Sequence, residues 1–175
     1  MKFKQKVETL TALILILIGT ILLLCPLYKI TDFKWINLAI FLSYAIVNLL
    51  KFILTSKSKD YEGLFTCLAS IIAAITSIVL KSKKSAINLS LTLMIWIILM
   101  SLIKLKKADY YHDRRDRMWK LNILMLGIFI LCGLLTSINL YYEADVQVIV
   151  IGFFFMINGI LEMFDPIVKT LITHA

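Results

Sequence analysis

Charged side chains at the ends of long apolar segments are the residues of this sequence best suited to chemistry. Lys51 closes one apolar segment and Glu162 closes another. Ionisable residues at such positions indicate a functional site or an ion pair at the membrane interface. Asp165 follows Glu162 closely, and Pro166 is expected to break the helix there. We therefore treat Glu162 and Asp165 near Lys51 as the best candidate site, with an interfacial Lys51–Glu162 ion pair as the simpler alternative.

Neutral polar residues lie deeper in the apolar segments, and they are Asn48, Asn158, Asn122, Thr76 and Ser43. We expect Asn48 and Asn158 to hydrogen-bond across helices, a contact worth roughly 0.6–2 kcal/mol. The alternative is that Asn48, Asn158 and Thr76 line a pore. No carboxylate is expected at mid-membrane, which argues against an ion-coupled transporter.

The usual signatures of catalysis are missing from this sequence. It has no glycine-rich phosphate loop and no metal spacing of Cys and His. We therefore predict that the chain is not an enzyme and carries no cofactor or metal. His112 and His174 are the only histidines and fall outside the apolar segments. The cysteines are predicted at different depths, which disfavours a mutual disulfide.

The elements that position these residues follow from the composition. Of 175 residues, 61% are hydrophobic and 17% are charged, whereas soluble domains average about 45–50% and 25%. A membrane span needs about 20 mostly apolar residues, and in lipid it must be a helix. We predict an all-α integral membrane protein in which one domain fills the chain. Its six transmembrane helices cover about 10–25, 35–55, 63–80, 86–103, 119–138 and 146–164, with a cytoplasmic loop at 104–118.

The distribution of Lys and Arg predicts the orientation of these helices. With the N-terminus inside, the inner segments hold most of the basic residues, many of them in the 104–118 loop. The cluster Lys81, Lys83 and Lys84 runs against this pattern. The excess places both termini in the cytoplasm and the chain in the inner (plasma) membrane. It also explains the net charge of +8 without nucleic-acid binding.

The expected partner is the lipid bilayer. A homo-oligomer is an open alternative, and no protein partner is indicated. The 104–118 loop is read as a topogenic loop, as a helical continuation of a neighbouring segment, or as a docking surface.

The even-numbered helices end alike, with a small or polar residue three positions before a charge. The three pairs are Asn48 and Lys51, Ser101 and Lys104, and Gly159 and Glu162. Gly19 and Gly133 correspond in the first and fifth helices, with Ala73 or Ala74 between them. These similarities predict three tandem αα-hairpins, with similarity of composition alone as the alternative.

The third helix carries a stripe of small residues, namely Cys67, Ser70, Ala73, Ala74 and Ser77. Such a stripe allows a neighbouring helix to approach closely. A pore lined by small side chains is the alternative.

Several glycine-containing pieces of the sequence recur along the predicted hairpins. They are Ile18-Gly19-Thr20 through Cys25-Pro26, Gly127 to Gly133, and Gly152 to Asn158-Gly159-Ile160, and Arg117 and Trp119 open the last hairpin. With these pieces, three hairpins of this size resemble the HdeD-like family of small bacterial membrane proteins over nearly the whole chain. The second and fourth helices lack the family's glycines, and no proline follows the fifth. The resemblance implies a role in acid resistance or envelope stress, and it supplies no catalytic residues.

The leading hypothesis is therefore a non-enzymatic polytopic inner-membrane protein in tolerance of acid or envelope stress. One alternative is a channel or small-solute permease, suggested by the small-residue stripe and the buried asparagines. The other is a membrane partner or immunity protein, suggested by the small size and the 104–118 loop.

Overall fold

The computed structural model describes residues 3–28, 33–55, 61–79, 85–116, 118–138 and 144–174. Within these ranges the chain is helical throughout its regular elements, as the all-α prediction requires. The helices are α1 (Phe3–Leu24), α2 (Phe33–Thr55), α3 (Glu62–Val79), α4 (Ser85–Asp113), α5 (Met118–Ile138) and α6 (Ala144–His174), and a short 3-10 helix, Cys25–Tyr28, extends α1. The predictions for Lys81, Lys83, Lys84 and Arg117 fall outside the described residues.

Five helices of the described chain are long and apolar enough to cross a membrane. The candidate spans are Phe3–Leu27, Leu38–Thr55, Glu62–Val79, Met118–Ile138 and Val146–Leu171. The prediction of a membrane protein is confirmed at this level. The fourth predicted span lies in α4, which joins an apolar part to a charged part that begins at Lys104. Large apolar side chains also cover the outside of the bundle, among them Leu17, Ile53, Ile75, Ile98, Leu135 and Leu171.

Two helices are longer than the sequence predicted. The sequence predicts a loop at 104–118 with a helical continuation of a neighbouring span as an alternative, and α4 does continue through this segment to Asp113. A turn at Arg114 and Arg115 follows α4, and Arg115 takes a positive φ of 52°. Pro166 does not end α6, which continues to His174. A proline removes one backbone donor, and a membrane helix tolerates this where packed neighbours compensate.

The six helices pack as a closed ring in chain order. Each helix contacts the next, and α6 returns to α1. The most extensive contacts are those of α1 with α6, α2 with α3, and α4 with α5. The sequence suggested hairpins of α1 with α2, α3 with α4, and α5 with α6. Each odd-numbered helix instead makes its most extensive contacts with the even-numbered helix that precedes it around the ring.

Small residues produce the close approach within these pairs. A Cβ added to Gly19 of α1 would lie 2.5 Å from the backbone nitrogen of Met156 in α6. A Cβ on Gly63 of α3 would lie 2.8 Å from the Asn48 carbonyl oxygen of α2. On α5, a Cβ at Gly133 would meet the Ile97 side chain of α4 at 2.8 Å. The small-residue stripe of α3 is buried along its length, as expected if it serves helix packing.

Aromatic side chains fill the centre of the ring. Trp96 of α4 is fully buried, and its ring centroid lies 5.4 Å from that of Tyr44 and 5.5 Å from that of Phe155. Phe129 and Phe154 pack together at 5.6 Å on its other side, and the Trp96 indole donates a hydrogen bond of 3.2 Å to the Ser70 hydroxyl. Tilted and edge-on aromatic pairs of this kind are each worth about 0.5–1.5 kcal/mol beyond their buried area. The centre is therefore a packed core.

Candidate functional site

Charged side chains from five helices converge at one end of the bundle, where α1 and α3 begin and α2, α4 and α6 approach their ends. We call this set the ionic cluster. It comprises Glu8 (α1), Lys51 (α2), Glu62 (α3), Lys104 and Lys107 (α4), and Glu162, Asp165 and Lys169 (α6). Since starts of odd-numbered helices meet ends of even-numbered ones, neighbouring helices in the cluster run in opposite directions.

Lys107 makes the two shortest ion pairs of the ionic cluster. Its ammonium lies 2.7 Å from a carboxylate oxygen of Asp165 and 3.1 Å from one of Glu62. Burial lowers the pKa of Lys107, but these two carboxylates outweigh burial and raise its pKa well above the usual lysine value. Lys107 is therefore charged at neutral pH and joins α3 to α6 through α4.

The predicted Lys51–Glu162 ion pair is not formed, because each group has another partner. The Lys51 ammonium lies 3.8 Å from Glu62, and the Lys104 ammonium lies 3.4 Å from Glu162. The Tyr44 hydroxyl donates a hydrogen bond of 2.9 Å to the same Glu162 oxygen. Lys51 and Glu162 nevertheless line one narrow cavity. The sequence thus identified two members of the cluster and misassigned their pairing.

Asp165 connects the cluster to the fifth helix and to the last turns of the sixth. The Asn122 amide of α5 donates a hydrogen bond of 3.3 Å to Asp165. Lys169, one turn further along α6, lies 3.9 Å from the same carboxylate. The predicted proximity of Asp165 to Glu162 and Lys51 is found, in a helix that continues beyond Pro166.

The three neutral polar candidates, Asn48, Thr76 and Asn158, have different surroundings in the structure. Asn48 is buried, but its amide donates to the Tyr44 carbonyl oxygen in its own helix at 2.9 Å. Among the described residues it makes no hydrogen bond to another helix. Thr76 lies on the outer side of α3, where its hydroxyl donates to the Ile72 carbonyl oxygen at 2.7 Å. Asn48 is therefore an interior residue bonded within its own helix, whereas Thr76 is only half-buried.

Asn158 is only 1% exposed and lies beside the Tyr44 hydroxyl. Its amide nitrogen and oxygen have no hydrogen-bond partner among the described residues. A buried amide in this state costs about 1–3 kcal/mol. Asn158 thus lies beside Tyr44, whose hydroxyl donates to Glu162 of the ionic cluster.

The predicted loop residues lie at the same end of the molecule. His112 is exposed, and its ring packs edge-on against Trp119 with centroids 5.1 Å apart.

The cysteines are separate thiols, with Cys67 buried and Cys25 and Cys132 half-buried.

A side cavity of about 460 Å³ opens next to the ionic cluster. It lies between the first turns of α1 and α3 and the charged part of α4. Glu8 and Glu62 line it together with lysines and several aromatic rings. Narrower spaces of about 20 and 10 Å³ penetrate the cluster itself.

Mutual neutralisation is what this arrangement achieves chemically. Each carboxylate of the cluster has an ammonium within 4 Å: Lys4 faces Glu8, Lys51 and Lys107 face Glu62, Lys104 faces Glu162, and Lys107 and Lys169 face Asp165. Buried charges cost several kcal/mol each unless paired. The paired cluster fastens the helices to each other at one end. Its charges are paired with each other.

Sequence reasoning missed Glu62, Lys107, Glu8 and Tyr44. Glu62 and Lys107 were counted as residues of the loops, where charges need no explanation. The positions of two carboxylates could have indicated the cluster, since Glu8 and Glu62 both lie near the starts of odd-numbered helices, α1 and α3. The role of Tyr44 depends on helix rotation, which apolar sequence does not specify.

Comparison with known proteins finds no matching family model, no matching curated protein and no matching solved structure. The resemblance to the HdeD-like family therefore stays a prediction from the residues quoted above.

Proposed function

We propose that this chain is a non-enzymatic, six-span protein of the cell membrane, with both termini and the ionic cluster on the cytoplasmic side. Five candidate spans support the membrane location. The sixth span would be the apolar part of α4, 86–103. The excess of Lys and Arg at the end that carries the cluster supports the orientation.

The filled centre of the ring is the observation that carries a non-conducting role. Trp96, Tyr44 and Phe155 occupy the position where a channel through the six-helix bundle would need open space. Lysine ammonium groups at the charged end are paired with carboxylates, and Lys107 lies between Glu62 and Asp165. A channel or small-solute permease through a single bundle is therefore less well supported than a closed membrane protein.

Within that class, we propose a role in tolerance of acid or envelope stress. This part is supported by the resemblance to the HdeD-like family, on the glycine-containing pieces of α1, α5 and α6. A docking role for a membrane partner is the remaining alternative, and the charged part of α4 is the surface it would use.

Two experiments test the proposal together. A deletion strain is exposed to an acid step, with and without the restored gene, and survivors are counted. We expect loss of survival that the gene rescues, and equal survival would refute the stress role.

Purified protein in liposomes is then assayed for flux of protons and small solutes. We expect flux equal to that of empty liposomes. Flux above that level, reduced by Asn158→Leu, would instead establish the permease alternative.

A further inference from the structure

The larger of the two narrow spaces in the ionic cluster has the size of one very small ligand. Its volume is about 20 Å³, and about 10–15 Å³ of such space is enough to hold a water molecule. Its walls come from α4, α5 and α6. Among neighbouring helices of the ring, α5 and α6 make the least extensive contact. This space, which we call the inner cavity, therefore lies where the ring is least tightly packed.

Asn122 of α5 presents an unpaired acceptor to the inner cavity. It lines the cavity and is only 7% exposed. Its nitrogen donates to the Met118 carbonyl oxygen at 2.9 Å and to Asp165 at 3.3 Å, so both of its N–H groups are used. Its oxygen accepts no hydrogen bond from any described residue, yet it is not one of the fully occluded polar atoms. We therefore place this oxygen at the open space that Asn122 lines.

Lys104 of α4 brings a donor to the same cavity. Its side chain lines the cavity and is 15% exposed. Of its three N–H groups, one faces Glu162 at 3.4 Å, which is longer than the roughly 2.7–2.9 Å of a strong charge-assisted hydrogen bond. The ammonium also lies over the Phe129 ring, 5.1 Å from its centroid. These two contacts leave at least one N–H group for a ligand.

The charges around the inner cavity decide the class of ligand. Two lysines and two carboxylates line it, namely Lys104, Lys107, Glu162 and Asp165, and their formal charges cancel. Neither a cation nor an anion is therefore favoured. The ligand has to accept a hydrogen bond from an ammonium and donate one to an amide oxygen. Water is a neutral molecule of this size that does both, and buried waters typically make about 2–4 hydrogen bonds.

We propose that the inner cavity binds one ordered water molecule. The water accepts a hydrogen bond from Lys104 and donates one to the Asn122 oxygen, and its second O–H is available to a carboxylate of the cavity wall. It thereby adds a hydrogen-bonded link between α4 and α5 beside the least tightly packed pair of helices. This inference goes beyond the proposed function and does not depend on the stress role.

The test uses a methionine in the cavity wall as a reporter. Met125 lines the inner cavity, and a methionine thioether is converted to the sulfoxide by oxidants. The full chain in lipid nanodiscs receives a short X-ray pulse, which produces hydroxyl radicals from water, and each sulfoxide is quantified by mass spectrometry. Two methionines of α4 are controls: Met100 is 2% exposed in the packed core, and Met94 is 41% exposed on the lipid-facing side.

We expect Met125 to be oxidised several-fold faster than both controls, because only Met125 lies beside the bound water. Oxidation of Met125 no faster than that of Met100 would overturn the proposal without any variant being needed. Equal rates for Met125 and Met94 would also overturn it, since radicals would then be reaching Met125 from the lipid-facing side.

Variants locate the water. Leu126 lines the inner cavity and is 7% exposed, whereas Leu124 is 61% exposed on the outer side of the same helix. Leu126→Phe should fill the cavity and lower the oxidation of Met125 to the level of Met100, and Leu124→Phe should leave it unchanged. Leu161→Phe fills the cavity from α6 and replaces Leu126→Phe if that variant does not fold. Fast oxidation of Met125 in a folded, filled variant would contradict the assignment.

Added salts distinguish water from a small ion. Millimolar ammonium, potassium or chloride should leave the oxidation of Met125 unchanged, because the charges of the cavity wall cancel. Suppression by one of these ions would assign the cavity to that ion and overturn the water proposal.

Discussion

Replacement of Lys107 by Met removes the ammonium that lies between Glu62 and Asp165 and leaves both carboxylates in place. The Met side chain retains most of the apolar stem of Lys and the helix propensity of the position. What is lost is an ammonium that lies 3.1 Å from Glu62 and 2.7 Å from Asp165. We therefore expect an effect from the charge and very little from packing.

The magnitude follows from the partners that remain. Removal of one member of a buried ion pair typically costs 3–5 kcal/mol, since the other charge stays buried. Glu62 keeps Lys51 at 3.8 Å, and Asp165 keeps Lys169 at 3.9 Å and the Asn122 amide at 3.3 Å. These contacts place the loss at the lower end, about 3 kcal/mol.

The preceding lysine supplies the control. Lys106 pairs with Asp109 at 3.6 Å, but both side chains are exposed. Exposed pairs contribute about 0–1 kcal/mol, so Lys106→Met should lower the free energy of unfolding by no more than that.

The assay is reversible unfolding of the purified protein in mixed micelles, with an anionic detergent as denaturant and helix content as the signal. We expect Lys107→Met to lose at least 2 kcal/mol more than Lys106→Met. Equal losses for the two lysine variants would refute the view that Lys107 is held in a buried cluster.

Three further predictions concern the packing around the cluster. Gly19→Ala should lower the free energy of unfolding by about 1–3 kcal/mol, because a Cβ there meets the backbone of α6 at 2.5 Å. The control Gly127→Ala, whose Cβ meets nothing within 4 Å, should raise the free energy of unfolding by up to about 1 kcal/mol. Equal effects of the two variants would contradict the α1–α6 contact. Tyr44→Phe should cost about 1.5–3 kcal/mol by the same assay, since the hydroxyl donates to charged Glu162; a neutral effect would mean that this bond is absent. Asn158→Leu should be neutral or stabilising, because its buried amide has no hydrogen-bond partner in the part of the chain that the structure describes. A loss above about 1 kcal/mol would show that the amide is bonded.

The helices themselves were predictable from the sequence, because apolar segments of bilayer length leave few alternatives. Lys51 and Glu162 were also recognisable, since a charge at the end of an apolar helix stands out. Their partners were not. Lys104 and Glu162 are 58 residues apart, and Lys107 and Glu62 are 45 apart; which charges meet depends on helix rotation and on the order of helices around the ring.

The continuation of α4 shows why composition could not decide between a loop and a helical continuation for the charged segment. Lys104 to Asp113 is rich in charge, and composition alone suggests a connection between spans. At helical spacing, however, Lys107 points toward Glu62 and Asp165 while Lys106 remains exposed. The segment is helical because it buries one charged face against α3 and α6.

Closure of the ring depended on complementary surfaces far apart in the sequence. Gly19 of α1 and Gly152 of α6 lie against each other's backbone. Each glycine by itself indicates only a place where some helix packs closely. Nothing in either segment identifies its partner, so the sequence did not indicate that the most extensive contacts join α1 to α6, α2 to α3 and α4 to α5.

The most direct test of the account is the side of the membrane on which each end of the bundle lies. A variant with Cys25, Cys67 and Cys132 replaced by Ala would carry one new cysteine, either Lys106→Cys at the charged end or Leu27→Cys at the other. Both positions are exposed. With a membrane-impermeant maleimide, we expect Leu27→Cys to react in intact cells and Lys106→Cys to react only after permeabilisation. The reverse pattern, or reaction of both in intact cells, would contradict a membrane-spanning bundle whose ionic cluster faces the cytoplasm.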